Sequence, residues 1–441
     1  MKQAVAEAEE SPPATGAGAG TAVWWRKLGP GLITGAADDD PSGIATYSQA
    51  GAQFGFGMLW TLVFTYPLMV GIQMISARIG RVTGHGLATN IRRHYPASLL
   101  YSVVGMLLLA NVINIAADLA AMGEALTLIV GGPPHLYAAL FALISAMLQV
   151  FVPYAKYVRV LKWLTMGLLA YVATLFIVRI PWLDVWRLGL SLPPLPWSAA
   201  FVTTMVAVFG TTISPYLFFW QASQEVEEMR TNPLAGPLNT STAEARSALA
   251  RIKLDTYVGM GFSNLVAFCI MMTTALTLHV HGITDISSSA QAALALRPIA
   301  GEFAFLLFGM GIIGTGLLAI PVLAGSAAYA MAGTFKWPNS LETPPLSARY
   351  FYLVILIATL GGMALIFAPV DPVKALFWSA VVNGVISVPI MGVMLLLGAR
   401  RDVMGELAIS LRLKAVGWVC TVVMALAVAA MVLTQLVPLA K

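Results

Sequence analysis

The sequence predicts an all-α polytopic membrane protein of eleven transmembrane helices, and three observations carry that prediction. Of its 441 residues 59% are hydrophobic and only 10% are charged, with a mean hydropathy of +0.81. The apolar residues fall in runs of about 20, the length that crosses a bilayer as a helix. The first and sixth runs are each interrupted at their middle, five spans apart. That interval predicts two inverted five-helix repeats with broken helices 1 and 6, plus one extra helix, because an odd-span repeat inserts its second copy upside down. This is the LeuT-like plan.

The first run, 28–54, contains Asp38-Asp39-Asp40-Pro41-Ser42-Gly43. Proline and glycine break a helix there and free carbonyls that need a partner other than lipid. An ionisable group at bilayer depth costs about 3 kcal/mol on insertion scales, and such groups mark substrate or ion paths. Runs at 57–79, 98–130, 135–153 and 158–180 complete the first repeat, assigned to residues 23–190. The sixth run, 199–225, is interrupted by Gly210-Thr211-Thr212-Ile213-Ser214-Pro215-Tyr216. With 256–280, 301–332, 350–369 and 373–398 it forms the second repeat, residues 191–400. The eleventh span, 414–438, lies in an appended segment, 401–441. Residues 1–22, rich in Ala, Pro, Gly, Ser and Glu, lack the apolar core of a secretory signal and read as a disordered tail.

Basic residues predict the orientation. With the N-terminus in the cytoplasm, all of the 25 lysines and arginines except Arg179, Arg187, Arg297, Lys374 and Lys441 fall on the cytoplasmic side. This obeys the positive-inside rule and places the C-terminus outside, in a plasma membrane or bacterial inner membrane. The net charge of +5 therefore reports topology, and no nucleic-acid partner is implied. Cys269 and Cys420 sit inside apolar runs as packing residues. His85, His94, His135, His279 and His281 fall in loops or at span ends, where a solvated role is the simple one.

At the two breaks the sequence resembles the natural resistance-associated macrophage proteins (NRAMP), a family of divalent-metal transporters. Their first span carries Asp-Pro-Gly-Asn and their sixth Ala-x-x-Met-Pro-His. The matching positions here read Asp40-Pro41-Ser42-Gly43 and Thr211-Thr212-Ile213-Ser214-Pro215-Tyr216, with further likeness at Gly29-Pro30-Gly31, Ile44-Ala45-Thr46 and Ala116-Ala117-Asp118-Leu119-Ala120. The resemblance implies a metal site built from Asp40, Gly43, Thr211 and Ser214, with Asn replaced by Gly43 and Met by Ser214. A thioether favours transition metals, whereas hydroxyl, carbonyl, carboxylate and water oxygens suit Mg²⁺ or Ca²⁺. Mg²⁺ also dehydrates reluctantly, and shortening Asn to glycine is expected to leave room for its waters. The pattern resembles a divergent NRAMP-related branch of Mg²⁺ transporters.

The resemblance aligns Asp118, in span 3, with a conduction-path aspartate. Asp39 is expected to enlarge the acidic vestibule, and Asn383 in span 10 to reach the ion through water or a ligand. Glu124 lies six residues beyond Asp118, on another side of the helix. It is read as vestibule or solvated. Gln221, with Gln224 and Glu225, shares a face expected to line the inner exit. Tyr216 replaces the histidine that the family links to proton movement, and an acidic position after Asp118 reads Ala121. Tyrosine's ordinary pKa of about 10 makes a poor relay at neutral pH, so weak or absent proton coupling is expected.

The chain is thus expected to be a monomeric importer with no cofactor, its partners being the divalent cation it carries and the bilayer. Enzyme motifs such as H-E-x-x-H and G-x-S-x-G are absent from the sequence. An organic-solute symporter of the same architecture offers helix N-termini to a carboxylate and would not concentrate three carboxylates at a break. A proton-coupled Mn²⁺ or Fe²⁺ transporter is the nearer alternative.

Overall fold

The computed structural model describes residues 34–35, 37–153, 156, 165–190, 198–231, 238, 242–341, 343–365 and 371–436. The N-terminal tail, Gly29-Pro30-Gly31, Arg159, Lys162, Lys441 and the first part of the fifth run lie outside the described residues. A helix lies on each of the eleven apolar runs. These are α1 (Pro41–Phe54), α2 (Leu59–Thr83), α4 (Ala97–Val130), α5 (Pro134–Phe151) and α6 (Leu169–Ile177), then α7 (Ala199–Thr212) with α8 (Pro215–Thr231) on the sixth run. The rest are α9 (Thr242–Thr277), α10 (Ala304–Phe335), α11 (Arg349–Leu365), α12 (Pro372–Ala399) and α13 (Leu411–Leu436). A short amphipathic helix, α3 (Leu87–His94), joins α2 to α4. Among the described residues eight helical stretches are long and apolar enough to cross a membrane, and none is a strand.

Both expected breaks are present. Asp39 and Asp40 leave the helical conformation, and α1 restarts at Pro41. Ile213 and Ser214 do the same before Pro215. Proline at a first helical position costs nothing, since its missing N–H has no intrahelical partner there. Proline alone does not cause the interruption: Pro67, Pro321 and Pro389 sit inside α2, α10 and α12, which continue through them. What distinguishes the breaks is a polar residue, Asp40 or Ser214, placed to satisfy the freed backbone.

The duplicated plan is visible in the packing. The second half of the first broken helix, α1, packs on α9, and the second half of the other, α8, packs on α2. Each contact partner lies five spans from its counterpart, and α4 and α10, also five spans apart, pack on each other at the centre. Glycines set these contacts. A Cβ on Gly51 of α1 would lie 2.3 Å from the Met271 carbonyl of α9, and one on Gly80 of α2 would lie 2.2 Å from the Ala222 carbonyl of α8. Gly309 and Gly316 of α10 likewise lie close on the Ile129 and Met122 side chains of α4. The helices α7 and α8 are buried on all sides, while α5 and α13 line the perimeter and expose residues such as Leu136, Phe151 and Leu433 to lipid.

One boundary departs from hydropathy. The seventh helix starts at Thr242, well before the apolar run at 256. Its polar first turns are held by ion pairs, with Arg251 2.8 Å from Glu225 and 2.9 Å from Glu228 of α8. Cys269 and Cys420 are buried and free, as expected.

Gly210 tests the packing at the second break. A Cβ there would meet the Ala380 carbonyl at 2.1 Å and the Gly384 nitrogen at 2.5 Å. Gly210→Ala is expected to destabilise the fold by about 1–3 kcal/mol through overpacking against backbone. Thermal unfolding in detergent measures this, and an unchanged midpoint would mean that α7 and α12 separate freely.

Candidate cation site at the two helix breaks

Asp40 organises the first break. As the N-cap of α1 it accepts hydrogen bonds at Oδ1 from the Gly43 amide (2.8 Å) and the Ser42 hydroxyl (2.7 Å). Its other oxygen accepts from Asn114 Nδ2 of α4 at 3.2 Å and from the Tyr216 hydroxyl of α8 at 3.3 Å. Tyr216 also lies 3.2 Å from the Ala37 carbonyl, so it ties the second break to the first. At 2% exposure Asp40 is cut off from bulk solvent, and these donors stand in for water.

The second break contributes uncharged oxygens. The Ser214 hydroxyl points back along α7 and lies 3.0 Å from the Gly210 carbonyl and 2.9 Å from that of Thr211. A carbonyl has two lone pairs, so that of Thr211 retains capacity for a cation. The space beside Gly43 is not left open. A Cβ there would meet Thr211 Oγ1 at 3.2 Å and the Tyr47 ring at 3.4 Å, so the expected extra room is filled by a hydroxyl from across the site. Tyr47 in turn lies 3.0 Å from Thr212 Oγ1.

The structure therefore brings Asp40, Gly43, Thr211, Ser214 and Tyr216 together. Asp118 lies one turn from Asn114 on the same face of α4. It is fully buried, and neither carboxylate oxygen makes a hydrogen bond within the protein. Asn383 of α12 is 1% exposed with both amide atoms equally unpartnered; it adjoins Gly384, which packs on Gly210. These orphaned polar groups, together with Asp38 Oδ1 and Asn114 Oδ1, are the donor set expected of a hydrated cation path.

Other predicted residues turn elsewhere. Asp39 and Asp38 both accept from Ser263 of α9, at 3.1 and 2.6 Å. Glu124 caps the short helix Ser289–Ala293, bonding the Ser289 hydroxyl at 2.9 Å. Gln221 pairs with Thr34 at 2.5 Å and Glu225 at 3.3 Å, away from Asp40. Among the described residues no three His, Cys, Asp or Glu side chains converge as a metal centre. The site is a mixed one of carboxylate, carbonyl, hydroxyl and amide.

The sequence points to Asp118 on α4 but not to Asn114, which the structure places on Asp40. Its spacing of four from Asp118 was the available signal. Asn111 does act as glue, donating at 2.8 Å to the Leu323 carbonyl and to Ser326 of α10.

Access is unequal at the two ends. A cavity of about 330 Å³ runs from Ala45, two residues past Gly43, along Gln49 and Gln53 of α1 to Thr203 of α7 and Lys374 of α12. Toward the opposite end the helices close just past the break, where Gln73 of α2 donates to the Leu217 carbonyl at 3.0 Å, Ser76 donates to that of Phe218 and the Glu225–Arg251 pair lies beyond; a cavity of about 190 Å³ lined by His85, Ser223, Glu227 and Arg230 opens further out.

The model of the family "Natural resistance-associated macrophage protein-like" (Nramp) matches residues 31–434. The chain belongs to the Nramp family. Solved structures show the same LeuT-like fold. A manganese transporter from Eremococcus coleocola, in complex with an aromatic bis-isothiourea substituted compound, matches with a TM-score of 0.73 at 16% identity, over 98% of this chain and 91% of that one. A nucleobase-cation-symport-1 family transporter in a closed conformation matches at 0.59 and 14% identity, covering 94% of each chain. MhsT in complex with L-phenylalanine matches at 0.58 and 13%, over 92% of this chain and 98% of that.

Two substitutions separate the roles. Asp40→Asn keeps an N-cap acceptor but removes the charge, and is expected to weaken divalent-cation binding at least about a hundredfold by loss of a charged ligand in a buried site. Tyr216→Phe removes one donor and is expected to leave binding within about tenfold. Calorimetry on purified protein measures both, and equal losses would contradict Asp40 as the anchor.

Proposed function

We propose that this Nramp protein carries divalent metal ions across a membrane by alternating access and that Mg²⁺ is its principal cargo, with Mn²⁺ taken with little selectivity. The observation that carries this reading is the set of oxygens at the breaks, Asp40 carboxylate, Thr211 carbonyl and hydroxyl, and Ser214 hydroxyl, with serine at the break position where the family resemblance implies a methionine sulfur. Hard oxygen donors suit Mg²⁺, and the unpartnered oxygens of Asp118, Asn114 and Asn383 supply acceptors for waters that it keeps.

The cavity at the Gln49 and Gln53 end supports entry from that side, and the closed end near Glu225 supports exit there. By the distribution of basic residues the exit faces the cytoplasm, which makes the protein an importer with the N-terminus inside and the C-terminus outside. Tyr216 stands where a titrating histidine would relay protons, and its hydroxyl is already spent on Asp40 and Ala37. Transport is then driven by the ion gradient and the membrane potential, about 2.3 kcal/mol per charge per 100 mV, without a coupled proton. The protein acts as a monomer, each chain holding a complete site.

Proteoliposomes loaded with a metal indicator and a pH dye test the reading. Mg²⁺ and Mn²⁺ are both expected to enter, with no metal-evoked acidification. Mn²⁺ entry without Mg²⁺, accompanied by proton influx, would instead establish the proton-coupled transition-metal transporter. Selectivity is expected to reverse only when three positions change together. An asparagine at 43 crowds the Thr211 hydroxyl, 3.2 Å from a Cβ there, so Ser214→Met with Gly43→Asn is combined with Thr211→Ala. The triple variant is expected to favour Mn²⁺ over Mg²⁺ by at least about tenfold, reflecting the softer sulfur ligand. An unchanged preference would remove the ligand-hardness argument.

A further inference from the structure

Away from the breaks, a groove of about 590 Å³ lies between α2, α9 and α13. Four cations line it, Arg78, Arg246, Lys253 and Arg412, and no acidic residue does. Arg78 is held there by the Leu407 and Ala408 carbonyls, at 2.8 and 3.4 Å. Arg246 and Arg412 take part in none of the ion pairs between described residues. Among the described residues no carboxylate pairs with these two arginines.

The groove changes character along its length. On α2 its lining runs from Arg78 through Met74 to Pro67, and on α9 from Arg246 through Lys253 to Tyr257. Each stretch spans 11 residues, about 16 Å at 1.5 Å per residue. That is half of a hydrocarbon core about 30 Å thick, the depth of one leaflet. The cations cluster at one end, and the other end is apolar, closed where the Tyr66 hydroxyl donates to the Tyr257 carbonyl at 3.0 Å. Its floor is tight: a Cβ on Gly71 would lie 2.5 Å from Val416 of α13. The Lys253 ammonium lies 5.9 Å over the Tyr257 ring, so one cation sits part-way along the groove, between the Arg246 and Arg412 end and the apolar end.

An occupant must therefore carry negative charge at one end and hydrocarbon about one leaflet long at the other. A soluble anion would not use the apolar length, and a neutral lipid would leave the cations unpaired. We propose that this groove binds an anionic phospholipid, its phosphate held by Arg246, Lys253 and Arg412 and its acyl chains lying along α2 and α13. Basic pockets between spans at a cytoplasmic interface hold such headgroups. The bound lipid joins α13, the span outside the two repeats, to both of them, because α2 belongs to the first and α9 to the second.

Delipidated full-length protein in detergent tests this by native mass spectrometry and thermal unfolding, with phosphatidylglycerol or phosphatidylcholine added. Phosphatidylglycerol is expected to remain bound and to raise the midpoint by several degrees, and phosphatidylcholine to do neither. Arg246→Gln/Lys253→Gln/Arg412→Gln is expected to weaken phosphatidylglycerol binding on the order of a hundredfold, from the attraction lost per basic residue. Met74→Trp fills the groove without changing charge and is expected to release the lipid as well. A control with three cations removed elsewhere, Arg92→Gln/Arg93→Gln/Lys336→Gln, is expected to bind as wild type. Equal binding of both lipids, or an equal loss in the control, would overturn the proposal.

Discussion

A helix interrupted at bilayer depth leaves N–H and C=O groups that lipid cannot satisfy, and the rest of this molecule is arranged around that constraint. The two breaks meet it with opposite chemistry. At the first, a carboxylate accepts from the N-terminus of the restarting helix, Asp40 to Gly43. At the second, a hydroxyl donates to the C-terminus of the ending helix, Ser214 to Gly210 and Thr211. The first places a negative charge between the helices, and the second leaves carbonyls facing it. Both features favour a cation in the gap, so the groups that repair the backbone are also those that create the site.

Much of this was legible as pattern. Hydropathy marked every run that carries a helix, and Asp40-Pro41 and Ser214-Pro215 marked both breaks, because a polar residue before proline is unlike the prolines at 67, 321 and 389 that apolar neighbours carry through. The illegible part is three-dimensional. Nothing local told that Glu124 would cap a distant turn, that Gln221 would pair with Thr34, or that Ser263 would take both Asp38 and Asp39. The early start of α9 was hidden because hydropathy is blind to a polar helix held by ion pairs outside the apolar zone.

The same limit applies to Gly43. Taken singly, loss of a side chain means space. Beside Thr211 the space is taken by a hydroxyl from the facing half of the fold. Ligand chemistry at this site is a property of pairs of positions across the break, and substitutions read one at a time misjudge it.

The contact of Ser263 with Asp38 and Asp39 has a consequence for biogenesis. The partner lies 225 and 224 residues downstream. At about 5–20 residues per second, synthesis reaches it roughly 10–45 s after the aspartates emerge. For that interval the two carboxylates lack the hydroxyl they finally share, and Gly51 lacks the α9 backbone it packs against. These contacts of the first span are therefore completed only when the second repeat arrives.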